Sequence, residues 1–125
     1  FTAVYTLTLE NMGNVPLYDI QIEDELTGSF GVKGASATTL TPGQYFVQTA
    51  PSIGSVGSNS SLTANGFYDG DGITPGNVNL LTLTSGDVLE VGELATVLFT
   101  LKFSPDLSNA SLTYGNDASV SGDTT

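Results

Sequence analysis

Tyr5-Thr-Leu-Thr-Leu-Glu-Asn-Met-Gly-Asn-Val-Pro-Leu-Tyr-Asp-Ile-Gln-Ile-Glu-Asp24 is the stretch that decides the fold. Two runs of alternating apolar and polar residues flank a short turn, Asn11-Met-Gly-Asn14. Alternation at period two places one row of side chains on each face of a β-strand. Two such runs joined by an Asn- and Gly-bearing turn predict a β-hairpin. In the first strand, about Thr2 to Glu10, Phe1, Ala3, Tyr5, Leu7 and Leu9 fall on one face and Thr2, Val4, Thr6, Thr8 and Glu10 on the other. In the second, about Leu17 to Glu23, the inward row is Tyr18, Ile20 and Ile22. Pro16 is tolerated only at a strand start or edge, because it has no N–H to give the ladder.

The same pattern continues along the chain. Phe30 to Leu40 reads as a weak strand broken by Gly31 and Gly34, and Thr41-Pro42-Gly43 as a turn. Tyr45 to Thr49 and Val78 to Thr84 read as strands, separated by a Gly-, Ser- and Asn-rich loop from Ala50 to Asn77. A loop of that length is ordinarily functional or disordered. The strongest strand is Leu94 to Phe103, with Val97, Phe99, Leu101 and Phe103 inward and Thr96, Leu98, Thr100 and Lys102 outward. The last is Leu112 to Ser121, with Leu112, Tyr114, Ala118 and Val120 on one face. The expectation is all-β: one antiparallel β-sandwich of seven to nine strands over residues 1–125.

Composition bounds the chemistry. There is no Cys, so no disulfide and no thiol nucleophile, and no His, which removes the commonest general base and metal ligand. Asp plus Glu outnumber Lys plus Arg by 13 to 2, and both bases are lysines, Lys33 and Lys102. A net charge of −11 repels nucleic acid and anionic lipid. No run is long and apolar enough to cross a membrane as a helix. The pattern is already that of a strand at Phe1, as expected of a module within a longer protein.

The opening run resembles the first strands of the bacterial conserved-repeat, immunoglobulin-like modules strung in tandem along large surface proteins. Asn11, Gly13, Asn14, Leu17, Ile20, Ile22 and Asp24 fill the places of that motif. Asp87-Val-Leu-Glu-Val-Gly-Glu-Leu-Ala-Thr-Val-Leu-Phe-Thr-Leu-Lys102 and Gly115-Asn-Asp-Ala-Ser-Val-Ser-Gly122 are similar to its later stretches, while the middle third departs from it. The resemblance implies an immunoglobulin-like, Greek-key sandwich. It also implies a non-enzymatic spacer or fibre subunit on a prokaryotic cell surface. Its partners would be neighbouring modules, or identical subunits joined by strand pairing. Asn11, Gly13 and Asn116 are the positions it marks as structural.

Few residues suggest a site. Asp69-Gly-Asp71-Gly72 pairs two carboxylates on a flexible backbone, an arrangement suited to a hard cation such as Ca²⁺. Asp24, Glu25 or Asn65 would complete such a site if the loop folds back on the first hairpin. The competing reading is a solvated turn in which Asp and Gly serve backbone geometry. Asn116 falls on an apolar row, where an amide needs hydrogen-bond partners, expected from the backbone of a neighbouring loop. An isopeptide bond would require Lys, Asn and an acid together in the core. The alternation turns Lys102 outward, and Lys33 sits in a Gly-broken segment. Tyr45, Phe46, Phe67 and Tyr68 could stack on a sugar, which makes a carbohydrate-binding module using the 50–77 loop the alternative function. A cohesin-like docking domain is a third class, suggested only by Gly92 to Leu101. Asn59-Ser-Ser61 and Asn109-Ala-Ser111 fit the N-glycosylation pattern. No nucleophile–base constellation can be assembled, so no enzyme activity is expected.

Overall fold

The computed structural model describes residues 1–73, 77–106 and 116–125. The strands among them are β1 (Thr2–Glu10), β2 (Leu17–Glu23), β3 (Val32–Lys33), β4 (Gln44–Val56), β5 (Val88–Leu89), β6 (Leu94–Ser104) and β7 (Ser119–Asp123). One helical turn, α1 (Thr27–Phe30), lies between β2 and β3. The strands form a four-stranded sheet, β1-β6-β4-β3, and a three-stranded sheet, β5-β2-β7.

The inward rows of the two sheets make the core. β6 is the central plank: Ala95, Val97, Phe99 and Leu101 are buried while the residues between them are partly exposed. It pairs antiparallel with β1 in unbroken register, Tyr5 opposite Phe99 and Leu7 opposite Val97. Ile20 and Ile22 of β2 face this row, joined by Leu26, Phe30, Tyr45, Tyr68, Leu80, Leu81 and Leu89. Phe99 stacks on Tyr5 at 5.3 Å between ring centroids and meets the edge of Tyr68 at 5.1 Å. Burying a side chain of this size contributes about 1.5–3 kcal/mol.

The opening run is not a hairpin. β1 pairs with β6 and β2 with β5 and β7, so the two strands lie in opposite sheets. A two-residue hairpin turn needs positive φ at its central residues. Neither Gly13 nor Asn14 has it. Residues 11–16 instead cross the sandwich. This sets the apolar rows of β1 and β2 toward each other across the core, where pairing in one sheet would have put both rows on one face.

β2 also departs from simple alternation. Asp19 takes φ 48°, and the register with β7 slips by one residue between Tyr18 and Gln21. This bulge inverts the parity of the strand start. Leu17 therefore packs on the core and Tyr18, expected inward, is exposed.

β4 runs to Val56, well beyond the expected end at Thr49, so 50–56 is strand and not loop. It stays on β6 through three register irregularities, which take up Gln48, then Ala50 and Pro51, then Gly54. Bulges are where a sheet tolerates residues that cannot serve the ladder. The weak strand expected at Phe30 to Leu40 reduces to the buried Phe30 at the end of α1 and the two-residue β3, which pairs parallel with β4. Gly31 joins them with φ 96°, and a Cβ there would lie 2.2 Å from the Gly43 carbonyl oxygen, so only glycine fits. Residues 78–84 lie beside β2 but, among the described residues, bridge to it only at Asn79, opposite Glu23, while Leu81 bridges to Ala64. The Gln21 amide replaces the missing ladder rungs, donating to the Leu81 carbonyl at 2.9 Å and accepting from its N–H at 3.1 Å.

At the end of the chain, Leu112 and Tyr114 lie outside the described residues. β7 is exposed along its whole length, including Val120 of the apolar row at 62% exposure. No described helix is long and apolar enough to cross a membrane.

The register makes a direct prediction. Phe99→Ala should cost about 3–5 kcal/mol, as for other large buried aromatics. Its outward neighbour Thr100→Ala should stay within about 0.5 kcal/mol. Urea titration of both variants checks the pair, and equal losses would contradict the inward assignment of Phe99.

Candidate functional site

Three clusters of polar side chains reach into or across the sandwich. The first surrounds Asn11, which is 1% exposed. Its Nδ2 donates to the carbonyls of Val15 at 2.8 Å and Leu89 at 3.0 Å. Its Oδ1 accepts from the Gly13 N–H at 3.0 Å. Its backbone exchanges bonds with the β5–β6 connection, accepting from Gly92 N and donating to the Glu93 carbonyl. The Asn11-x-Gly13 signal is thus an inter-sheet fastening in which one amide satisfies three backbone groups, the Leu89 carbonyl among them buried.

The second cluster is the acidic loop. Asn65 anchors its start: its Oδ1 caps Phe67 N at 3.0 Å and its Nδ2 donates to the Asn79 carbonyl at 2.8 Å. Gly70 takes φ 71° and packs so tightly on Leu26 that a Cβ would lie 2.5 Å from the leucine side chain. Asp69 Oδ1 accepts from Asp71 N at 2.9 Å, and Asp71 Oδ1 accepts from Ile73 N at 3.0 Å. Asp69 Oδ2 takes Asn77 Nδ2 at 3.2 Å and Lys33 Nζ at 2.8 Å. Lys33 Nζ also lies 3.9 Å from Asp71 Oδ2. The lysine ammonium therefore supplies the positive charge that the paired carboxylates call for. The hydrogen bond from Lys33 to Asp69 holds the ammonium pKa above its usual value. Tyr45 OH donates to the Asp69 carbonyl at 3.1 Å. Burial pushes the Tyr45 phenol up, reinforced by Asp71, Asp69 and Glu25. Because the lysine is partly exposed, the ion pair belongs to the weak class, at most about 1 kcal/mol.

Of the four acids expected around a cation, Asp69 and Asp71 share Lys33. Glu25 lies against Gly72 and accepts from Thr27 Oγ1 at 2.6 Å. Asp24 belongs to a different cluster. Among the described residues no group of three or more acids converges as a metal-binding set. The rest of the Gly- and Ser-rich segment is ordered by other acids. Glu93 accepts from Asn59 N and Ser60 Oγ, and Asp87 accepts from Ser61 Oγ and Thr63 Oγ1.

The third cluster is Asp24 with Asn116. Asp24 is 1% exposed. Asn116 Nδ2 donates to its Oδ2 at 2.8 Å, so Asn116 ties to a carboxyl and not to loop backbone. Tyr68 OH donates to the Asp24 carbonyl at 3.0 Å. Burial pushes the Asp24 carboxyl up; the Asn116 hydrogen bond opposes the rise and Asp117 adds to it. Asp24 and Asn116 bring together two of the three groups of an isopeptide site. Lys33 is engaged with Asp69, and Lys102 stands opposite Thr2 in the outward row of β6.

Of the aromatics suggested as a sugar platform, Tyr45 and Tyr68 are buried in the core and Phe46 is partly buried, leaving Phe67 exposed. Asn59 is exposed, and Asn109 lies outside the described residues. Sequence reasoning missed Lys33, Asn77 and Gln21 as partners. Nothing at the level of spacing links Lys33 to Asp69, which is 36 residues away. Comparison with family models, with curated proteins and with solved structures found no match.

Two outcomes check these assignments. Asn11→Ala should cost about 1–3 kcal/mol, since it strips a partner from the buried Leu89 carbonyl. Asn11→Asp should cost more at neutral pH, because a carboxylate cannot donate to the Val15 and Leu89 carbonyls; denaturant titration compares them. Lys33→Met should lower the melting temperature in dilute buffer, and sodium chloride should recover part of the loss by screening Asp69 from Asp71. A salt-independent loss would mean that Lys33 acts by packing.

Proposed function

We propose that the chain is a non-enzymatic structural or adhesive module of a prokaryotic extracellular assembly, joined to its neighbours by strand pairing along β1. The observation that carries this reading is the edge of the larger sheet. Among the described residues β1 pairs only with β6, and it does so over nine residues without a bulge. It has no Pro or Lys, and its one charge is Glu10 at the end. Natural sheets normally blunt such an edge with charge, Pro or a bulge. A neutral edge on a chain of net charge −11 is a surface that a second acidic module can approach.

The geometry beside this edge supports the same reading. The inward residues of β1 are only partly buried, in contrast to those of β6. Between β1 and β7 runs a groove of about 320 Å³, lined by Leu9, Leu17, Ile20, Leu89 and Val120 among others. An added strand would cover it with its own inward row. The absence of His and Cys from the sequence supports a non-enzymatic role. An immunoglobulin-like, Greek-key topology is part of the proposal. It is supported by the chain changing sheet at every connection except β3–β4.

The test follows from hydrogen-bond parity. The Phe103 N–H bonds to the Phe1 carbonyl, so the odd-numbered residues of β1 point their backbone groups at β6 and the even-numbered ones at the free edge. Thr6→Pro therefore removes an outward N–H and spares the ladder. In high salt, which screens the net charge, concentrated wild-type chain should show higher-order species in light scattering. Thr6→Pro should be monomeric with an unchanged β-type circular dichroism spectrum. Association unaffected by Thr6→Pro, or a wild type monomeric at every concentration, would reject the edge as the joining surface.

A further inference from the structure

The pairing of Asp24 with Asn116 is incomplete in a specific way. One rung is present, from Asn116 Nδ2 to Asp24 Oδ2 at 2.8 Å. The second oxygen of each group, Asp24 Oδ1 and Asn116 Oδ1, is buried and meets no donor among the described residues. Two acceptors without donors, on two side chains already joined by one hydrogen bond, lack a single hydrogen. A carboxylate has none to offer, whereas a carboxylic acid has one O–H donor.

We propose that Asp24 is held as the neutral acid and donates its proton to Asn116 Oδ1, closing an acid–amide pair that clasps the end of β2 to the segment leading into β7. One proton satisfies both orphan oxygens and removes a buried charge, each of which is costly to leave uncompensated.

The surroundings favour the neutral form. On β1, Tyr5 is close enough for Asp24 to raise its phenol, after burial itself. From the 65–73 loop comes Tyr68, whose OH is committed to the Asp24 carbonyl. Beside Asn116 stands Asp117, a like charge that opposes ionisation. Glu23 and Glu25 flank Asp24 in sequence and line an outer pocket with Asp117. There is no Arg or His in the chain, Lys33 is bonded to Asp69, and Lys102 stands in the outward row of β6 opposite Thr2. No cation therefore faces the carboxyl among these groups.

The consequence is a pH-sensitive fastening. The carboxyl is raised above the ordinary Asp value of 3.8. Its contribution to stability is then complete below that value and is lost as pH rises through the raised one. The clasp is closed in acid and opens on the alkaline side. β7 is the element that depends on it: all five of its residues are exposed, and β2 is its only strand neighbour among the described residues.

The experiment is a carbon-detected NMR titration of the side-chain carboxyls, with thermal melts of Asp24→Asn and the exposed control Asp123→Asn over the same pH range. The Asp24 carboxyl should keep the chemical shift of a protonated acid at pH values where an unstructured aspartate is ionised. Asp24→Asn keeps both rungs as an amide–amide pair, so its melting temperature relative to wild type should rise with pH. Asp123→Asn, which removes only a surface charge, should lack that rise. An Asp24 carboxyl that ionises at the ordinary Asp value of 3.8 would overturn the proposal. So would an Asp24→Asn variant that is destabilised by the same amount at every pH. If that variant fails to fold, the titration of the wild type still decides.

Discussion

The Asn11 side chain spans a gap that no strand ladder closes. Among the described residues the strands of the two sheets share no backbone hydrogen bonds, so apolar contact alone would leave the crossing connections loose. One amide holds the crossing of residues 11–16 to the end of β5, while its own backbone pairs with the turn before β6. The positions of β1, β2, β5 and β6 meet at this point. With the crossing held, the inward rows of β6 and β2 lie face to face and Phe99 is enclosed by Tyr5 and Tyr68. Without it, two strongly alternating strands would have no reason to leave the same sheet.

The acidic composition takes on a structural meaning beside this. Several of the acids act as acceptors. Asp69 and Asp71 cap backbone N–H groups, Asp87 and Glu93 gather the hydroxyls and amides of residues 59–63, and Asp24 joins Asn116. A Gly- and Ser-rich segment has little apolar surface to hold it in place. Carboxylates with four lone-pair sites each are an efficient substitute, because one acid can bind two or three donors at once. Apart from Glu10 at its end, the charge that remains on the surface is kept off β1, which leaves one nearly neutral edge on a strongly acidic body.

The candidate sites were legible in unequal measure. Asn11 and Gly13 stand in a recognisable local motif because the Oδ1-to-Gly13 bond is a two-residue interaction that sequence spacing encodes. The two Asx-type turns of Asp69-Gly-Asp71 are local in the same sense. Lys33, in contrast, reaches Asp69 only because β3 lies beside β4 and Tyr45 draws the loop down by its hydroxyl. Asp24 was readable as an acid near the loop, but its direction was not. The strand parity that sends Ile22 inward also sends Asp24 inward, away from Glu25 and toward Asn116, which is 92 residues later in the chain.

The sequence by itself determined the period-two rows, and with them the strands β1, β2 and β6 and most of the core, because alternation is a property of each strand alone. It also determined the absence of thiol, imidazole and guanidinium chemistry. Only the tertiary structure decided which strands share a sheet, since the same apolar row can face its partner within a hairpin or across a sandwich. It decided that β4 continues through Pro51 and Gly54, because a breaker is harmless where a neighbouring strand allows a bulge. It turned Tyr18 outward by a single left-handed residue, Asp19, which shifts every position before it to the opposite face. And it left β7 exposed with Asn116 on Asp24, because a long-range pair of polar groups is chosen by burial and geometry, neither of which spacing records.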